Sequence, residues 1–337
     1  MQKQGRNETK KANVTMDCKY LDPKADLTFK LVFGEHPDLV MSLLNALLPL
    51  EPDGQITTVE YWPTEMVPEN PGKKDSVVDV RCTDQKGRQF IVEMQLYWNQ
   101  YFKNRVLLNA SKAVVKQLKE GEGYNLIQPV YCLNLINDIG FDSEPGEFYH
   151  DYAIVNVAHS DRIIEGLRFV FVELPKFVSK RVQNGARISS VEREQTRPEV
   201  KFRPENIAQK RMAVLWLRFL TEINKKTQEA PAELLENEKT RKALSLVERA
   251  AMSDEQLDAY DKFWMSVTDQ EGFLEARYNK GKAEGEAIGL AKGEAIGIAK
   301  GEANERMRNA RSLKENGIPI DVIAKSLALT DAELQQL

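Results

Sequence analysis

The sequence predicts an α/β domain, a mixed sheet with helices on its faces, followed by an all-α C-terminal region. Three observations predict it. Helical and strand periodicities alternate between about residues 20 and 180. The near-continuous apolar run Pro129 to Ile136 reads as a buried central strand. From Ala208 onward the patterns are helical, and glycines recur at 281, 285, 289, 293, 297 and 301 among good helix formers.

Asp22-Pro23 marks a turn, and Pro23 or Lys24 can open a first helix whose apolar positions Leu27, Leu31 and Val32 lead to a stop at Gly34. A second helix runs from about Pro37 to Leu47, ending before Pro49. Ile56 to Tyr61 reads as a short strand, and Pro63 to Lys74, with three prolines, as a loop. A β-hairpin follows from Ser76. Gln100 to Lys119 reads as a long amphipathic helix with Phe102, Val106, Leu107, Ala110, Val114 and Leu118 on one side. Tyr149 to Val157 and Leu167 to Leu174 are two further strands.

Lys176 to Arg211 is rich in Lys and Arg, and Ala208 to Ile223 is a helix. In the glycine repeat the unit Gly285-Glu-Ala-Ile-Gly-Leu-Ala-Lys recurs from Gly293. Each interior glycine costs a helix about 1 kcal/mol relative to alanine. Small residues four apart let another helix backbone come close. Self-association through residues 281–301 and the C-terminal helices is expected; a flexible tether is the alternative. The end reads as a helix from Arg306 to Asn316, Gly317 as its cap, a helix opened by Pro319, and Thr330 to Glu333 as a capping box. The expected organisation is a disordered tail at 1–19, the α/β domain at 20–180, and a basic connector and helical region at 181–275. The repeat at 276–305 and a small helical tail at 306–337 complete it.

Composition narrows the function. The chain has 337 residues, 42% hydrophobic and 29% charged, as suits a soluble globular protein. Its net charge of −4 means that any nucleic-acid contact comes from a local basic surface. Cys18, Cys82 and Cys132 form no CxxC pair, and His36, His150 and His159 have no zinc spacing. Inert thiols and no zinc centre are expected. Residues 1–19 lack the apolar core of a secretory leader, and no apolar run approaches the roughly eighteen residues of a membrane span. A cytoplasmic protein with no membrane partner is expected.

The hairpin carries the chemistry. A three-residue loop, Gln85-Lys86-Gly87, pairs Asp84 with Arg88 and therefore sets Asp79 opposite Glu93. Val78, Val80 and Cys82 should share one face and Phe90, Val92 and Met94 another, with Asp79, Glu93 and Gln95 on the opposite sides. Facing like charges destabilise a sheet. A hard cation such as Mg²⁺ or Mn²⁺ would compensate them. The other reading is a solvated edge hairpin whose acids are neutralised by Arg81 or Lys73. Gln95, two residues after Glu93, could orient a water. Asp26 offers a third carboxylate and Lys30 a phosphate contact; otherwise they form an ordinary i,i+4 ion pair.

Asp79 with Glu93-Met94-Gln95 resembles the PD-(D/E)XK nuclease superfamily in the variant with glutamine as the last residue. Asp26 to Gly34, Val92 to Gln95, Phe102-Lys-Asn-Arg105, and Gly121 to Tyr124 followed by Pro129-Val-Tyr131 are similar to the Rpn family. These are recombination-promoting nucleases, also classed as transposases. The resemblance covers about residues 20–180. It implies a restriction-endonuclease-like core and metal-dependent DNA cleavage with little sequence preference, linked to recombination or mobile elements. Asp79, Glu93 and the Met94 carbonyl would ligate Mg²⁺ or Mn²⁺. Asp26 would hold a second ion or a water, and Gln95 would position the nucleophile. Val78 stands where the name-giving proline would be. Lys103, Arg105, Lys112 and Lys116 on the long helix, with Lys30 and the basic 176–211 segment, are the expected DNA contacts.

Overall fold

The computed structural model describes residues 18–66, 76–141, 147–177 and 210–337. Two compact units divide the chain, Met1–Trp264 and Met265–Leu337. Most of the expected 1–19 tail and of the basic 176–211 segment lies outside the described residues, as does Lys73.

The first unit opens with α1 (Asp26–Phe29), which passes directly into a π-helical turn, Lys30–Gly34. The Thr28 hydroxyl donates to the Asp22 and Ala25 carbonyls, which fixes the entry to the helix. α2 (Pro37–Leu47) has proline in its first turn, where no N–H is missed. The strands are β1 (Val59–Tyr61), β2 (Val80–Asp84), β3 (Gln89–Gln95), β4 (Val130–Ile136), β5 (Tyr149–Asn156) and β6 (His159–Glu173). Helix α3 (Phe102–Val115) joins β3 to β4. Among the described residues they form one six-stranded sheet in the order β1-β2-β3-β4-β6-β5. β3, β4 and β6 run parallel, and the remaining neighbours are antiparallel.

Side chains alternate between two apolar layers, as strand geometry requires. Val80, Cys82, Phe90, Val92, Leu133, Leu135, Val170 and Val172 face α2 and the helices α4 (Arg211–Glu222) and α6 (Glu238–Leu246), with the short α5 (Ala232–Glu236) between these. Trp216, Phe219 and Leu244 from this later segment belong to that same core. Ile91, Val130, Cys132 and Ile136 face α3, whose Phe102, Val106, Ala110 and Ala113 cover them. The three cysteines are free and buried, and burial pushes the Cys82 thiol up to about 12.

Four local differences from the sequence expectation have physical causes. The first strand begins at Val59 rather than Ile56, because the Asn45 side chain takes both backbone groups of Ile56 at 2.8 Å. α3 ends at Val115, and the Gln117 amide instead bonds both backbone groups of Gln128 at 2.7 and 2.9 Å. Leu107 is exposed, and Asn109 takes the buried place one turn after Val106. Val78 packs with Ile91 and α3, not beside Val80 and Cys82, because the chain bends at Asp79 and reverses the alternation there.

The long helix α7 (Asp254–Glu315) supplies most of the second unit. All six repeat glycines lie within it, and a Cβ added at any of them meets nothing within 4 Å. Four residues overshoot a helical turn by about 40°, so the glycines wind around the helix by roughly 200° in total instead of keeping to one side. α7 ends at Glu315, and Gly317 caps it, with φ of 80° and its N–H bonded to the Lys314 carbonyl at 3.0 Å. α8 (Ile320–Leu327) and α9 (Asp331–Leu334) follow, the latter with the Thr330–Glu333 capping box in place. Among the described residues no helix is long and apolar enough to cross a membrane.

Candidate active site

The hairpin register is the expected one. Gly87, with φ of 78°, turns the loop, and Asp84 N–H donates to the Arg88 carbonyl at 3.1 Å. Val80 then pairs with Val92, the last rung of the pair. Asp79 stands one residue ahead of β2, at the bend. Its Oδ2 accepts the Met94 N–H at 2.6 Å, which draws the carboxylate onto β3 beside Glu93.

Burial pushes the Asp79 carboxyl up to about 6; the Met94 N–H opposes the rise, while the charges of Glu93 and Asp26 add to it and that of Lys30 lowers it. Asp26, Lys30 and Glu93 therefore all lie within electrostatic reach of Asp79. Asp26 and Lys30 form the i,i+4 ion pair at 2.7 Å, with both side chains well exposed.

Glu93 is buried on the α3 side of the sheet, and two α3 residues one turn apart hold it. Asn109 Nδ2 donates to Oε1 at 2.9 Å, and Arg105 Nη2 donates to Oε2 at 3.0 Å. The same Arg105 nitrogen donates to Gln95 Oε1 at 2.6 Å, and Gln95 Nε2 donates to the Tyr97 carbonyl at 2.7 Å. Arg81 does not neutralise the acids. Its Nη2 donates to Gln89 Oε1 at 3.1 Å, and its guanidinium lies over the Trp62 ring.

The expected DNA contacts divide. Lys30 and Arg105 belong to the acidic cluster. The Lys103 ammonium lies 4.0 Å from the centre of the Phe141 ring, near Trp98 and Tyr152. Lys112 Nζ donates to Ser76 Oγ at 2.9 Å, tying α3 to the start of the hairpin. Lys116 follows α3 and is exposed. Lys176, at the head of the basic segment, is buried and pairs with Glu173 at 2.6 Å. No sequence motif singles out Asn109. Its signal was a polar residue on the buried face of an otherwise apolar helix stripe.

The donors here are oxygens: the Asp79 and Glu93 carboxylates, the Met94 carbonyl next to them, and Asp26 nearby. Among the described residues no group of three or more His, Cys, Asp or Glu side chains is already gathered as for an ion. Two carboxylates completed by water are what Mg²⁺ commonly uses, so the donor set fits a hard divalent ion. It does not suit a soft one.

A family model described as PD-(D/E)XK nuclease family transposase matches residues 23–277. No curated protein and no solved structure matches the chain.

Proposed function

Because the chain belongs to the PD-(D/E)XK nuclease family transposases, we propose that it is a divalent-metal-dependent DNA endonuclease with little sequence preference, acting in recombination or on mobile elements. The observation that carries this reading is the Asp79 carboxylate, held on β3 by the Met94 N–H and within electrostatic reach of the buried Glu93. Burial raises the energy of the ionised Asp79 carboxylate, and a bound cation offsets it.

Asp79 and Glu93 would hold Mg²⁺ or Mn²⁺, with the Met94 carbonyl adjacent and Asp26 serving a second ion or a water. Such an ion polarises a phosphoryl oxygen and lowers the pKa of water. Met94 N–H fixes Asp79, and Asn109 fixes Glu93, so neither carboxylate needs reorganisation to meet its ligand. Gln95 aligns a water through its amide oxygen. Lys103, Lys112, Lys116 and the basic segment beyond Lys176 supply backbone phosphate contacts, which carry no sequence information. We further propose a cytoplasmic protein that self-associates through residues 281–301 and the C-terminal helices. Two sites in a dimer would address the two strands of a duplex.

Plasmid nicking in Mg²⁺ or Mn²⁺ tests the reading against an Asp79→Ala/Glu93→Ala double variant. Turnover by the wild type alone supports it, and equal cutting by both proteins removes it. A second reading, a catalytically degenerate nuclease fold that binds DNA or oligomerises, is favoured by one observation. Gln95 stands at the position of the usual lysine, and its amide is held by Arg105 and Tyr97. That reading requires salt-sensitive DNA binding without turnover and no metal-induced rise in Tm.

A further inference from the structure

Arg105 occupies the ground that a bound dication needs. Its Nη2 bridges Glu93 Oε2 at 3.0 Å and Gln95 Oε1 at 2.6 Å. One nitrogen thus engages both the carboxylate assigned to the metal and the amide assigned to the water. The two α3 residues that hold Glu93 differ in freedom. Asn109 is fully buried, so its tie to Glu93 is a fixed part of the core. The Arg105 side chain is 45% exposed, against 5% for Glu93, and its guanidinium lies 5.0 Å from the Phe102 ring centre at the edge of the site.

We propose that Arg105 is a displaceable latch: it neutralises Glu93 and ties Gln95 in the metal-free site, and in the metal-bound site it moves to a phosphodiester oxygen of the DNA strand. This inference rests on the nuclease reading. A guanidinium and a dication sharing one carboxylate oxygen repel each other, and around the buried Glu93 side chain that repulsion is weakly screened. The planar guanidinium fork suits phosphate as well as carboxylate, so Arg105 exchanges one anion for another. Gln95 is released by the same movement. Its Nε2 remains on the Tyr97 carbonyl, which leaves Oε1 as an acceptor for a water O–H.

The test uses the full chain freed of metal by chelator. Tm is followed while Mn²⁺ alone is added, for wild type, Arg105→Gln, Arg105→Lys and Glu93→Gln. Affinity for a short duplex is then measured by anisotropy in chelator and in Ca²⁺. Arg105→Gln should lower the Mn²⁺ midpoint by about tenfold, an ordinary size for removing one nearby like charge. It should also lose the gain in DNA affinity that Ca²⁺ gives the wild type. Arg105→Lys keeps the charge without the fork. It should stay near the wild-type midpoint and lose much of the DNA gain, so it carries the test if Arg105→Gln does not fold. An Arg105→Gln midpoint equal to or above wild type, or a full DNA gain in either variant, overturns the latch. If Glu93→Gln responds to Mn²⁺ as wild type does, the metal is not at Glu93, and the nuclease assignment falls together with the latch. If Glu93→Gln is silent and Arg105→Gln matches wild type, only the latch falls.

Discussion

Asp79→Asn should stabilise the metal-free protein at neutral pH. The replacement is isosteric, and the introduced amide oxygen can still accept the Met94 N–H that Asp79 accepts at 2.6 Å. What disappears is a carboxylate whose pKa stands at about 6 against an ordinary 3.8, chiefly through burial. The sign follows from linkage. The folded state holds the Asp79 proton more tightly than the unfolded chain, so stability falls as pH rises from 3.8 to about 6 and stays reduced above that. A shift of that size corresponds to roughly 3 kcal/mol at most. Asp79 is only partly enclosed, so about 1–3 kcal/mol is the expected gain, or roughly 3–9 °C in Tm for a unit of this size. Thermal melts in chelator at pH 7.5, 6, 5 and 4 check it. The variant's advantage should shrink through pH 6 and vanish near pH 4. Saturating Mn²⁺ should reverse the order, because an ion at 100 times its Kd adds about 2.7 kcal/mol to the wild type only. An Asp79→Asn protein that is less stable than wild type in chelator, or equally advantaged at pH 4, would refute the reasoning.

Glu173→Gln addresses a second buried cluster, at the C-terminal end of β6. Burial alone would raise the Glu173 carboxyl, but Lys176, His150 and the Gly140 and Phe141 amides outweigh it and hold it below 4.5. Its stabilisation is present above pH 4.5 and is lost as pH falls through the lower folded value, so the variant should melt earlier at pH 7, by about 3 kcal/mol. Its acid-unfolding limb should also be flatter, as followed by circular dichroism. Gly140→Ala should lower stability by about 1–3 kcal/mol in denaturant melts, because a Cβ there would lie 2.3 Å from the Trp98 ring. Replacing Gly289, Gly293 and Gly297 together by Ala should raise helix content, since each Cβ enters open space within the chain. Loss of self-association in sedimentation velocity would place those glycines in a contact between copies, and an unchanged sedimentation coefficient would exclude it.

Much of the fold was legible because its signals are local. The run Val130 to Ile136 lies between other strands and is buried almost throughout, which is why it reads as continuously apolar. The tail was legible for the same reason: Gly317 and Thr330 act on their own neighbours. What the sequence hid were side chains that leave their own element. Nothing near Ile56 signals that Asn45 consumes its backbone groups, and nothing near Val115 signals that Gln117 turns aside to Gln128.

The site divides along the same line. A hairpin with a fixed loop has a calculable register, which Gly87 sets and which holds as far as Val80 opposite Val92. Asp79 lies at the bend beyond it and comes beside Glu93 through the Met94 N–H. The parts that set their chemistry come from α3, and no register links a helix to the sheet it covers. Arg105 read as one cation on a solvated face, yet it and Asn109 are one turn apart and both reach the same carboxylate. The clue available beforehand was energetic. An asparagine between Phe102, Val106, Ala110 and Ala113 on a buried stripe must find a polar partner or weaken the core. On the sheet face that α3 covers, Glu93 was the acid to supply that partner. A buried amide in a helix that follows an acidic hairpin therefore locates the helix over the acids, and with it any cation one turn away.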